Sequence, residues 1–90
     1  MRVVRWSAHA VKNLSDREID REEADRTLAA PDSIVTGQPG RRVLMRRYFD
    51  PVLGREMLLR IVVEETEEET VVVTMYKTSR LDKYTSGSRP

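Results

Sequence analysis

Arg60 is the residue whose setting most needs a chemical explanation. It interrupts Met57-Leu58-Leu59-Arg60-Ile61-Val62-Val63, an otherwise apolar run, and a buried guanidinium without a partner would cost on the order of several kcal/mol. Strand alternation groups Arg60 with Leu58 and Val62 and sets Leu59, Ile61 and Val63 on the other side. Two readings follow. Arg60 closes an ion pair with Glu64 or a helix carboxylate, or it emerges on a face the helices leave uncovered, as a permanently charged fork suited to a phosphate. In the next apolar run, alternation sets Val72, Thr74 and Tyr76 against Val71, Val73 and Met75, which lets Tyr76 share a face with Arg60. Tyr76-Lys77-Thr78-Ser79-Arg80, followed by Lys83 and Tyr84, concentrates hydroxyls, cations and rings at a strand end. Such a set holds a phosphate by charge and stacks an unpaired base on a ring, or else forms an ordinary solvated edge. Arg47 is a second candidate cation or a strand-edge solubiliser, and the same choice applies to Arg46. His9 is the one histidine, the residue type that titrates near neutrality; on a first helix it is either a proton-transfer group at the sheet end or simply exposed.

Other chemistries find no residues here. The sequence has no cysteine, which removes a disulfide framework, a thiolate zinc site and a thiol nucleophile, and which suits a reducing cytoplasm. One histidine cannot make a His-rich metal cluster, and the carboxylates lack calcium-loop spacing. The glycines fall outside any strand-loop-helix phosphate cradle. No cofactor and no metal are therefore expected. The longest apolar stretches fall well short of the roughly 20 residues that cross a bilayer, and the start of the chain lacks a secretory pattern, so no membrane contact is expected.

With 16 Lys plus Arg against 15 Asp plus Glu, the net charge of +1 argues against binding nucleic acid by bulk charge. Its distribution is uneven. Arg41, Arg42, Arg46, Arg47, Arg55 and Arg60 fall within one stretch, while acidic residues gather from Asp16 to Asp25 and from Glu64 to Glu69. A neutral total can hide one basic surface and one or two acidic ones.

The elements that must position these residues are readable from period and punctuation. A chain of 90 residues allows one domain and hides only roughly 60% of its unfolded surface on folding. Residues 2–6 open as a strand. Ser7 stands as an N-cap before a short helix with Val11 and Leu14 on one face. A second helix begins at Asp20, whose spacing to Glu23 is that of a capping box, carries Ala24 and Leu28 as its seam, and stops at Pro31. From Asp32 onward the period becomes that of strands: 33–36, then 42–49, a loop at Asp50-Pro51-Val52-Leu53-Gly54, then 56–64, a charged turn at 65–69, and 70–77. The last three are expected to be consecutive antiparallel strands. The order β-α-α-β-β-β-β gives an α+β domain over residues 1–84, with two helices packed on one face of a small, mostly antiparallel sheet and a flexible tail at 85–90.

Ser7-Ala8-His9-Ala10, the Arg17-x-Ile19 step into an acidic helix, the Pro31 stop, and Val72-Val73-Thr74-Met75-Tyr76-Lys77-Thr78-Ser79 with Lys83-Tyr84 resemble the DUF4258 family, which is placed near the RelE/ParE toxin superfamily. The resemblance covers about residues 2 to 84 and implies a RelE/ParE-like fold. It implies a small cytoplasmic toxin of a toxin-antitoxin system that cleaves mRNA, often on the ribosome, without a metal. The family motif marks His9, Arg60, Tyr76, Lys77, Ser79 and Tyr84; Arg47 and Lys83 enter by placement and charge.

The leading expectation is thus a metal-independent endoribonuclease in which a ribose 2′-hydroxyl attacks the adjacent phosphate. Arg60, Lys77 and Arg47 would stabilise the phosphate, Tyr76 or Tyr84 would stack or transfer a proton, and His9 would serve as acid or base. Tyrosine ordinarily titrates near about 10, so Tyr76 would need a neighbouring cation to act as a base. The alternative is a non-catalytic module that grips RNA or a protein through the same face; a third reading is a toxin aimed at gyrase. Expected partners are RNA, an antitoxin protein and, through a sheet edge, a second copy of the chain.

Overall fold

Seven elements follow one another in the computed structural model, which describes residues 3–81: β1 (Val3–Trp6), α1 (Ala8–Asp16), α2 (Arg21–Ala29), β2 (Ser33–Thr36), β3 (Arg41–Asp50), β4 (Arg55–Glu65) and β5 (Glu69–Thr78). The strands form one mixed five-stranded sheet in the order β1-β5-β4-β3-β2. β1 runs parallel to β5, and every other pairing is antiparallel. The fold is α+β, in the expected order. Lys83, Tyr84 and the tail at 85–90 lie outside the described residues. Among the described residues no helix is long and apolar enough to cross a membrane.

Both helices cover the same side. Ala10, Ile19 and Ala24 pack with Leu44, Tyr48, Met57, Leu59, Ile61, Val63, Val72 and Met75 in one buried cluster. Leu59, Ile61 and Val63 are the alternate set of β4, so Arg60 projects from the opposite side of the sheet. Truncating a residue of this cluster such as Leu59 removes contacts that an intact core cannot recover, at a cost of about 2–5 kcal/mol.

Ser7 caps α1 by accepting from the Ala10 N–H at 3.0 Å. The inward face of α1 differs from the expected one: Val11 is 51% exposed, and Ala10 and Asn13 are the buried residues. The reason lies in the sheet. β1 pairs with β5 only as far as Val72, and beyond it the border of β5 needs other partners. Ser7 Oγ donates to Val73 O, the Asn13 side-chain oxygen accepts from Met75 N at 3.0 Å and from Thr74 Oγ1 at 2.9 Å, and Arg17 donates to Met75 O. α1 and its caps therefore present polar groups to a strand border, while Ala10 lies in the core and Leu14 packs against it.

Asp20 caps α2 through Glu22 N at 2.9 Å. Glu23 does not close the capping box; it accepts from Arg26 and from Arg46 of β3. The β3–β4 loop is built by Asp50, whose Oδ1 accepts from Val52 N and Leu53 N, and by Gly54 at φ +66°, a conformation that glycine adopts without steric penalty.

The expected pattern of β5 is corrected at one point. A bulge between Val62 and Val63 makes Val63 face Val72 while Val62 faces Thr74. The extra residue shifts the alternation, so Val72 joins Met75 in the core instead of sharing the side of Tyr76. Beyond the bulge Tyr76 lies directly across from Arg60.

Candidate functional site

The helix-free side of the sheet is organised in rows. Met45, Arg60 and Tyr76 form one row across β3, β4 and β5, and Arg47, Leu58 and Thr78 form the next. Met45 and Leu58 are 1% and 0% exposed, and they make an apolar floor beside which the charged and aromatic groups stand. Arg60 is half-buried. Its Nε donates to Met45 Sδ at 3.3 Å, its Nη1 donates to Tyr76 Oη, and its guanidinium carbon lies 5.2 Å from the Tyr76 ring centroid.

That hydrogen bond fixes what the phenol can do. A tyrosine hydroxyl accepts through its lone pairs and donates through one proton. With a guanidinium N–H on the oxygen, the O–H is turned to donate elsewhere, and a bound phosphate oxygen is a suitable acceptor. Arg47 stands in the neighbouring row, diagonal to Arg60 and 3.8 Å from Glu56, with its backbone N–H on the Asp32 carboxylate at 2.8 Å. Phe49 continues the same side of β3 and is 63% exposed.

The structure does not bring Lys77 to this group. Lys77 follows Tyr76 and so points to the helix side, where its ammonium donates to Asp50 Oδ2 at 2.7 Å and to Glu18 O at 2.8 Å. The two side chains are 12% and 5% exposed, and Tyr48 donates to the same carboxylate at 3.3 Å. The Lys77 hydrogen bond, helped by the Leu53 and Val52 N–H groups, holds the Asp50 carboxyl below its ordinary range against the opposing effect of burial. Burial, together with the Asp50 charge, pushes the Tyr48 phenol up. A cleft of about 270 Å³ beside this cluster is lined by Glu18, Asp20, Glu23 and Asp50 among others. Its acidity is unsuited to a polyanion.

His9 also falls outside the Arg60 group. It is exposed on α1, whose buried residues pack on the helix side of the sheet. Ser79 is exposed just past β5, and Lys83 and Tyr84 lie outside the described residues. Of the residues singled out by sequence, the fold therefore joins Arg60, Tyr76 and Arg47.

The basic stretch between Arg41 and Arg60 does not form the continuous basic surface that its sequence suggests. Cross-strand register sets Arg41 2.6 Å from Glu64, and Arg42 is bonded to Glu65 at 2.8 Å, while Arg46 reaches Glu23 from the helix side at 2.7 Å. Among the described residues no group of three or more His, Cys, Asp or Glu is arranged to hold a metal ion.

Comparison with known families matches residues 6–77 to a domain of unknown function, DUF4258. The chain belongs to the DUF4258 family. The matched span of this DUF4258 domain runs from Trp6 at the end of β1 to Lys77 in β5 and includes Arg47, Arg60 and Tyr76. No curated protein and no solved structure matches the chain.

Proposed function

We propose that this DUF4258 domain is an RNA-binding module that takes a phosphate of single-stranded RNA on the Arg60–Tyr76 pair. The observation carrying the reading is the hydrogen bond that sets a permanent cation beside a phenol O–H at the centre of the helix-free side. A guanidinium matches phosphate geometry, the phenol adds a donor, and exposed Phe49 on the same side offers a stacking surface for an unpaired base. Arg47, one row away and 3.8 Å from Glu56, stands on the same side. The low net charge fits a narrow contact rather than general affinity for nucleic acid. Fluorescence anisotropy with a labelled single-stranded RNA oligonucleotide tests it: Arg60→Gln is expected to weaken binding about tenfold, the scale of one charge-assisted contact, and unchanged affinity contradicts the reading.

The second reading is a RelE/ParE-like, metal-independent endoribonuclease toxin with mRNA as its substrate and an antitoxin as its partner. What favours it is the orientation of Tyr76, whose occupied acceptor side suits a proton donor to a leaving oxygen. In this reading Tyr76 serves as the acid. His9 and Lys77 sit on the other side of the sheet from that position, and this is why binding is the leading reading. Mapping of RNA 5′ ends after controlled expression separates the two: new cleavage ends that vanish with Tyr76→Phe support the nuclease, and their absence supports the module.

A further inference from the structure

At the border formed by β1, two features coincide that the Arg60 site does not use. Val3 N donates to Glu68 O at 3.4 Å and Ser7 N to Val72 O at 3.0 Å. These odd-numbered residues direct their backbone toward β5, and the alternation of a parallel pair turns the N–H and C=O of Val4 and Trp6 outward. An outward row of this kind is a template for another strand. Beside it, between β1 and α2, runs a groove of about 360 Å³ lined by Val4, Trp6, Arg21, Asp25, Leu28 and Ala29. Its floor is apolar, and Val4 is 49% exposed within it.

The charges at the rim are balanced. The Arg21 guanidinium lies 4.1 Å from the Trp6 ring centroid and is paired with Asp25 at 3.2 Å. On the other side of β1, Arg5 holds Glu69 at 3.1 Å through a two-point contact. Charge complementarity therefore selects an occupant that is uncharged where it faces the groove, because an ionised side chain placed there would be desolvated without a counter-ion.

We propose that the β1 border and the groove beside α2 form a docking site for an extended segment of another protein, uncharged and bearing large apolar side chains at alternate positions. Its backbone pairs with Val4 and Trp6. Its alternate side chains, separated by two residue rises of about 3.3 Å each, match the spacing of Val4 and Trp6 and settle between those residues and Leu28. Main-chain pairing supplies affinity and the groove supplies selectivity, as in strand addition generally.

The test is an NMR titration of the full chain with short end-blocked peptides that alternate threonine with leucine, valine or phenylalanine. Expected are saturable shifts at Val4, Trp6, Leu28 and Ala29, slowed amide exchange at Val4 and Trp6, and a loss of about tenfold in affinity when the pairing amides of the peptide are N-methylated. Ala29→Arg, at an exposed position at the end of α2, is expected to weaken binding similarly while leaving the circular dichroism and thermal midpoint unchanged. Lack of saturation by every peptide overturns the proposal, as does equal binding of the N-methylated form or of a peptide with glutamate at the apolar positions. Amide protection at Val4 and Trp6 that grows with protein concentration in the absence of peptide would assign the border to a second copy and overturn it too.

Discussion

The two sides of the sheet put chemically similar residues to different uses. Tyr76 and Lys77 are consecutive, as are Arg46 and Arg47, yet pleating sends one of each pair to either side. Under the helices, Lys77 is held by a buried carboxylate and a backbone carbonyl, and Arg46 by Glu23; there a cation neutralises a carboxylate and closes the fold. On the opposite side Arg60 donates to a thioether and to a phenol. Pleating and register, not residue type, decide which group each of these cations meets.

The largest expected effect is at Asp50. Asp50→Ala leaves the Lys77 ammonium buried beside Glu18 O without its counter-ion, and a loss of about 3–5 kcal/mol in chemical denaturation is expected. The double variant Asp50→Leu with Lys77→Met should be less destabilised than Asp50→Ala, since the charge is removed along with its partner. A small effect of Asp50→Ala would mean that Lys77 is no structural cation and would return it to the candidates for ligand contact.

The next effect concerns the other side. Arg60→Gln is expected to lower RNA affinity about tenfold, or about 1.4 kcal/mol, and Lys77→Met to leave affinity unchanged in molecules that remain folded. Equal losses in the two variants would erase the distinction between the sides.

Acid titration sharpens the helix-side assignment. The Asp50 carboxyl is held below its ordinary range in the fold, so its contribution to stability is complete above the unfolded value, about 3.9, and disappears as pH falls through the lower folded value. Denaturation midpoints followed below about pH 4 should fall less steeply in Asp50→Asn than in the parent. A parallel decline would move the acid sensitivity to another carboxylate.

The smallest effect is at Glu18, the residue after α1 that adopts φ +51°. A side chain disfavours this conformation and glycine does not. Glu18→Gly is expected to raise stability by about 0.5–1 kcal/mol, because the contact to Lys77 uses only its backbone carbonyl. A loss of stability would show that its carboxylate contributes to the acidic cleft.

The sequence made the element order and the side of Arg60 legible because both rest on local period. The β4 run repeats every second residue without interruption, and helix caps at Ser7 and Asp20 are local hydrogen bonds. What it concealed depends on partners distant along the chain. Asn13, not Val11, faces inward because the border of β5 lacks a strand beyond Val72. The bulge at β5 leaves no mark within Val71-Val72-Val73, where every residue is valine. The ion pairs of Arg41 and Arg42 follow from strand register, and so does the split of Arg60 from Lys77. A cue to that split was present: adjacent strand residues cannot share a side.

On the proposed reading, RNA meets the Arg60–Tyr76 side of the sheet. NMR shift mapping during titration with an unlabelled single-stranded RNA oligonucleotide tests it most directly. Saturable perturbations are expected at Arg47, Arg60, Tyr76 and Thr78, strongest at the Arg60 guanidinium and weakened by added salt, with Lys77 and Asp50 unmoved. Perturbations confined to the helix side, or a saturated titration that leaves Arg60 and Tyr76 in place, would contradict it.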